Sequence, residues 1–110
     1  MDRFSIEEVE NMNSNGEHWI ACKLYDTEKE HSFWIDCSLI DGYGNSRDFK
    51  TDDLYIDWTF NQYIFILDNC NDIEAKQYQE DAENIDAISY FIDEKNDELV
   101  AIIKGGAVYV

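Results

Sequence analysis

The 110-residue chain reads as an antiparallel α+β fold, with about seven short strands, one main helix over 71–84 laid on the sheet, and a C-terminal three-stranded meander. Three features point there. Apolar and polar residues alternate in several short segments, the mark of strands with one buried face. Only the stretch 71–84 repeats with a clear helical period. The segments between the apolar runs are short and polar, which favours hairpins over crossover connections.

Taken in order, Phe4–Val9 is the first strand candidate, and the loop Asn13-Ser14-Asn15-Gly16 follows it, its Asn and Gly tolerating left-handed backbone. In His18–Tyr25, Ile20, Cys22 and Leu24 share a face; in Ser32–Ile40, Phe33, Ile35, Cys37 and Leu39 do the same. The polar link Asp26-Thr27-Glu28-Lys29-Glu30 makes these two a hairpin. Asp41-Gly42-Tyr43-Gly44-Asn45-Ser46 is a second loop. Across Leu54–Leu67 the alternation of Leu54, Ile56, Trp58 and Phe60 reads as strand, with a hairpin turning at Asn61-Gln62 and a helix capped by Thr51-Asp52-Asp53 as the alternatives. Asn71 caps the main helix and Glu74 completes a capping box. Its stripe of Ala75, Tyr78, Ala82 and Ile85 faces the sheet, while Lys76, Glu80, Glu83 and Asn84 point away. Ala87–Asp93, Glu98–Lys104 and Ala107–Val110 then read as three strands joined by turns at Glu94-Lys95-Asn96-Asp97 and Gly105-Gly106.

Length and composition fix the scale. A chain of 110 residues is expected to form one domain, 1–110, and to bury roughly 65% of the surface its unfolded form exposes. Sixteen aromatic residues set in ordered patterns argue against disorder despite the charge. That charge is −17, from 25 acidic and 8 basic side chains. Residues 1–47 carry ten acids and four bases; residues 48–110 carry fifteen and four, so the second half is the more acidic. Direct binding to nucleic acid or to an anionic membrane needs Lys and Arg against phosphates, and neither is expected here. The field favours cations, or a basic protein whose association it would speed. Three cysteines, an acidic start and no long apolar run point to a reducing, cytoplasmic setting with neither a secretory signal nor a membrane span.

Motifs for chemistry are sparse. His18, Cys22, His31 and Cys37 carry zinc-type atoms, but their spacing fits no zinc pattern, and both cysteines fall on the apolar strand faces. Asp68-Asn69-Cys70-Asn71-Asp72 lacks the glycine and terminal glutamate of an EF-hand loop. No phosphate-binding glycine loop or nucleophile elbow occurs, so no catalytic residue, metal or cofactor is assigned and the chain is not read as an enzyme. What does stand out is acid beside outward-facing aromatics. Trp19, Tyr25 and Trp34 lie opposite the Ile/Cys/Leu faces of the first hairpin, and Tyr55, Asp57 and Thr59 lie opposite Leu54, Ile56 and Trp58. The candidate partner-binding residues are Asp52, Asp53, Tyr55, Asp57, Glu80 and Glu83.

A small, acidic, aromatic-rich α+β chain without catalytic motifs resembles the immunity proteins of bacterial toxin–immunity pairs, above all those encoded beside contact-dependent growth inhibition toxins. The resemblance is one of character over the whole chain and transfers no residue. It implies tight binding to a cognate, basic toxin domain, often a nuclease, whose active site is blocked by carboxylates where substrate phosphates would sit. The alternative is a nucleic-acid mimic of the anti-restriction or anti-CRISPR kind, which would set its carboxylates in duplex-like rows with fewer exposed aromatics.

Overall fold

In the computed structural model, residues 2–40, 54–61 and 70–104 are described. They form an α+β arrangement of four strands and three helices: β1 (Phe4–Ser14), β2 (Glu17–Asp26), β3 (His31–Ile40), β4 (Tyr55–Phe60), α1 (Asp72–Glu80), α2 (Ala82–Glu94) and α3 (Asn96–Lys104). The strands make one antiparallel sheet in the order β1-β2-β3-β4. Each strand pairs with its sequence neighbour, as consecutive strands usually do.

Turn chemistry sets the first hairpin. Asn15 (φ 51°) and Gly16 (φ 82°) both take the left-handed conformation between paired Ser14 and Glu17. That two-residue turn matches strand twist, and Asn-Gly supplies it at small steric cost. The first strand is longer than the span Phe4–Val9 read from sequence, because a bulge breaks its alternation. Ile6 pairs with Leu24 and Glu8 with Lys23, leaving Glu7 as the extra residue. Phe4 and Val9, an odd number of positions apart, are therefore both buried on the core face. Ser32 donates its hydroxyl to the Glu7 carboxylate at the bulge.

The core lies between one sheet face and the helices. Phe4, Val9, Ile20, Cys22, Leu24, Phe33, Ile35, Cys37 and Leu39 from the sheet meet Tyr78, Ile88, Phe91, Ile92, Leu99 and Ile103. The Phe33 ring packs against Phe4, Phe60 and Tyr78 with centroids 5.4–6.1 Å apart. Cys22 and Cys37 are buried free thiols, and burial pushes the Cys22 pKa up to about 12.

Two expectations for the second half are corrected. The helix read as 71–84 divides at Asp81, whose extended backbone (φ −75°, ψ 113°) ends α1 and whose side chain accepts from the Glu83 N–H to start α2. The start of α1 is as read: Asn71 accepts from the Glu74 N–H at 2.9 Å, and Glu74 returns the bond in a capping box. Because the axis is broken, Asn84 is buried rather than outward, and its amide donates to Tyr78 O in the last turn of α1.

The second correction concerns the meander. Ala87–Asp93 and Glu98–Lys104 are helical, inside α2 and α3, so the described residues hold four strands and three helices in place of about seven strands and one helix. Ile88, Phe91 and Ile92, then Leu99 and Ile103, are the buried positions, spaced three and four apart. The isoleucines favour strand by intrinsic preference, and packing of this helical stripe on the sheet overrides it. Glu94-Lys95-Asn96-Asp97 is not a hairpin turn: Glu94 ends α2, Asn96 and Asp97 begin α3, and Lys95 alone separates them. The Ala107–Val110 strand, the loop at 41–46 and the part of Leu54–Leu67 beyond Asn61 fall outside the described residues. Among those residues no helix is long and apolar enough to cross a membrane.

Candidate partner-binding surfaces

Strand β4 displays two of the sequence-derived candidates. Ile56, Trp58 and Phe60 turn toward the core, so Tyr55, Asp57 and Thr59 project from the other face, and all three are exposed. Tyr55 is 51% exposed, a large area for an aromatic ring. The strand is held by its register with β3, Ser38 opposite Asp57 and Ile40 opposite Tyr55. On its other side the Asn96 amide acts as a clip: it accepts from the Ile56 N–H at 2.8 Å and donates to Leu54 O at 3.3 Å. That residue carries no obvious signal in the sequence, where it lay in an assumed turn.

The outer sheet face continues from β4. Trp19, Tyr25 and Trp34 lie on it, each half-buried. Asp36 stands at its centre in the cross-strand row Glu10–Ala21–Asp36–Thr59. Burial raises the Asp36 pKa, while the Trp19 indole and the Asn61 amide, 2.8 Å away, oppose that rise. The Trp19 N–H is itself buried and makes no hydrogen bond of ordinary geometry.

The remaining candidates separate. Glu80 ends α1 and Glu83 sits in the first turn of α2, both exposed on the helical layer. That layer covers the core face of the sheet, so they do not share a surface with Tyr55 and Asp57. Asp52 and Asp53 fall outside the described residues. Glu83 instead joins a stripe that sequence reasoning missed. Glu83, Asp86, Ala87, Tyr90 and Glu94 fall within an arc of about 100° on α2. Tyr90, which lies in the segment Ala87–Asp93 read as a strand, is 69% exposed at the middle of the stripe. Glu83, Asp86 and Glu94 are exposed and form no ion pair among the described residues.

A buried polar network holds the helical layer against the sheet. The Asp26 carboxylate is fully buried and accepts from Arg3 Nε (3.0 Å) and Nη2 (2.8 Å), the Tyr78 hydroxyl (2.8 Å), and the Glu28 and Lys29 N–H groups (3.0 and 3.2 Å). Arg3 also donates to Asn84 Oδ1 at 2.8 Å. Burial alone would raise the Asp26 pKa; the hydrogen bonds from Arg3, Tyr78 and Lys29, with the Arg3 charge, reverse that and lower it. Burial and the bond to Asp26 raise the Tyr78 pKa. His31 is buried at the head of β3 with its ring edge-on to Tyr78 and its Nδ1 3.7 Å from Cys70 Sγ. Among the described residues no group of three or more His, Cys, Asp or Glu side chains is placed to hold a metal ion.

No protein family, curated protein or solved structure matches the chain.

Proposed function

We propose that this chain is an immunity-type inhibitor: a cytoplasmic protein that binds a basic toxin domain, of the nuclease class, and covers its substrate-binding surface. The observation that carries the reading is the setting of its exposed tyrosines. Tyr55 stands beside Asp57 on β4, and Tyr90 stands among Glu83, Asp86 and Glu94 on α2. Aromatic rings with a polar tip, set beside carboxylates that form no ion pair among the described residues, suit a protein interface in which a few desolvated anchors hold and charge steers. A net charge of −17 supplies the steering toward a cationic surface. A duplex mimic is less well supported, because exposed tyrosines interrupt the carboxylates it would need in a row.

Co-expression with the C-terminal domain encoded by the neighbouring reading frame tests the proposal. The expected result is restored growth and a stable one-to-one complex of the purified proteins. A domain that stays toxic and elutes separately would overturn it. Inhibition of a DNA-binding enzyme that excess duplex DNA relieves would replace it with the mimic reading.

A further inference from the structure

The fold leaves a cleft where the start of β1 passes under α2. Phe4 and Phe91 floor it, both buried, with ring centroids 5.8 Å apart. Ala87, Tyr90 and Glu94 wall it on the helical side and Asp2 on the other, around a volume of about 290 Å³. A second opening of about 240 Å³ shares Asp2, Phe4 and Phe91 and continues toward Glu98. Each is smaller than the roughly 300–1,000 Å³ of small-molecule sites, and each suits one long side chain.

Charge identifies that side chain. The cations at the cleft are already engaged, Arg3 by Asp26 and Asn84, and Lys95 by Glu98 at 4.0 Å. Asp2 and Glu94 are exposed carboxylates with no ion pair among the described residues. Arg3 already lies over the Phe4 ring, 4.9 Å from its centroid, so the ring open to a ligand is that of Tyr90. That ring, beside two carboxylates with no ion pair among the described residues, complements a guanidinium better than an ammonium. The guanidinium is weakly hydrated, stacks flat on rings and bridges carboxylates with a planar fork. We propose that the α2–β1 cleft receives an arginine of the basic protein partner, its stem along Phe4 and Phe91, its guanidinium against Tyr90 and within reach of Glu94 and Asp2. This deepens the inhibitor reading and rests on it for the identity of the partner.

Titration of the ¹⁵N-labelled protein with tri-arginine and tri-lysine peptides at low salt tests the site without the partner. Saturable shifts at Phe4, Ala87, Tyr90, Phe91 and Glu94 are expected, with tri-arginine at least threefold tighter. Tyr90→Ala and Glu94→Gln, both at exposed positions that the core does not need, should each weaken it at least fivefold. Shifts spread over all acids, with equal response to both peptides and in both variants, would overturn the proposal. The toxin assay separates the two claims. Unchanged toxin affinity in Tyr90→Ala/Glu94→Gln removes the cleft and leaves the inhibitor reading in place. A wild-type protein that fails to protect removes the inhibitor reading, while the peptide titration still decides the cleft.

Discussion

Replacing Asp26 by alanine should be the most damaging single polar change in this protein. The carboxylate accepts five hydrogen bonds while wholly buried. Its loss leaves the buried Tyr78 hydroxyl without an acceptor, a penalty of about 1–3 kcal/mol. Arg3 keeps Asn84 and Glu28 and is 19% exposed, so its stranded charge costs less than in a sealed site. The Glu28 and Lys29 N–H groups lie in an exposed turn and turn to water. Together these place the loss at about 3–5 kcal/mol, against the roughly 5–15 kcal/mol that holds a domain together. In thermal melts that is a drop of about 12–20 °C, taking ~4 °C per kcal/mol for a chain of this size. The carboxylate also makes stability depend on acid. Its pKa is lower folded than unfolded, so the unfolded chain takes up the proton first. Its contribution is complete above the unfolded value of about 4 and is lost as pH falls through the depressed folded value. Urea denaturation at pH 7, and at steps down to pH 2, reads both effects, with Asp26→Asn as the variant that keeps shape and loses the charge. A cost below about 1 kcal/mol for Asp26→Ala, with the same acid slope in wild type and Asp26→Asn, would refute the assignment of this network.

Three other outcomes follow from the same geometry. Asn96→Ala removes the bonds to the Leu54 and Ile56 backbone and should cost about 1–2 kcal/mol, with amide exchange at Ile56 speeding more than at any other β4 position. Aromatic disulfide reagents should modify half-exposed Cys70 first; Cys22 and Cys37, which are buried, should react only on unfolding, which mass spectrometry of timed digests would show. If the proposed basic toxin domain is the partner, association with it should slow sharply as the Debye length shrinks from about 30 Å at 0.01 M salt to about 8 Å at physiological salt, as binding kinetics would show. There, Asp57→Lys should cost about 2–5 kcal/mol through faster dissociation, and Glu30→Lys, in the β2–β3 turn, should alter mainly the on-rate.

The first half of the fold is legible in the sequence because its physics is local. Period-two alternation in β2 and β3, the Asn15-Gly16 turn and the short polar link at 26–30 each act within a few residues. Even there, the Glu7 bulge hides half of β1 by shifting the phase of its apolar residues. In the second half, Ile88, Tyr90 and Ile92 satisfy a strand period while Ile88, Phe91 and Ile92 satisfy a helical one, and only the sheet beneath decides between them. The same ambiguity governs the candidate site. Alternation was enough to turn Tyr55 and Asp57 outward, whereas Tyr90 on a strand would have pointed inward with its isoleucine neighbours. The Arg3–Asp26 pair needs the register that sets Phe4 opposite Asp26, and Arg3–Asn84 needs the break at Asp81; neither is a local property.

The reach of Arg3 has a consequence for synthesis. Its first partner, Asp26, lies 23 residues downstream and its second, Asn84, 81. At about 5–20 residues per second, the 58 residues from Asp26 to Asn84 take about 3–12 s to make. During that interval the β1–β2–β3 hairpins can pair while the helices meant to cover them do not yet exist. Ile20, Leu24, Phe33 and Ile35 then face water on a growing chain, beside an edge strand open to pairing. The first 47 residues carry ten acids to four bases, and like-charge repulsion between neighbouring nascent chains opposes their association through those seconds. On this view the acidity of the first half guards the chain while it is being made, and that of the second half serves its encounters afterwards.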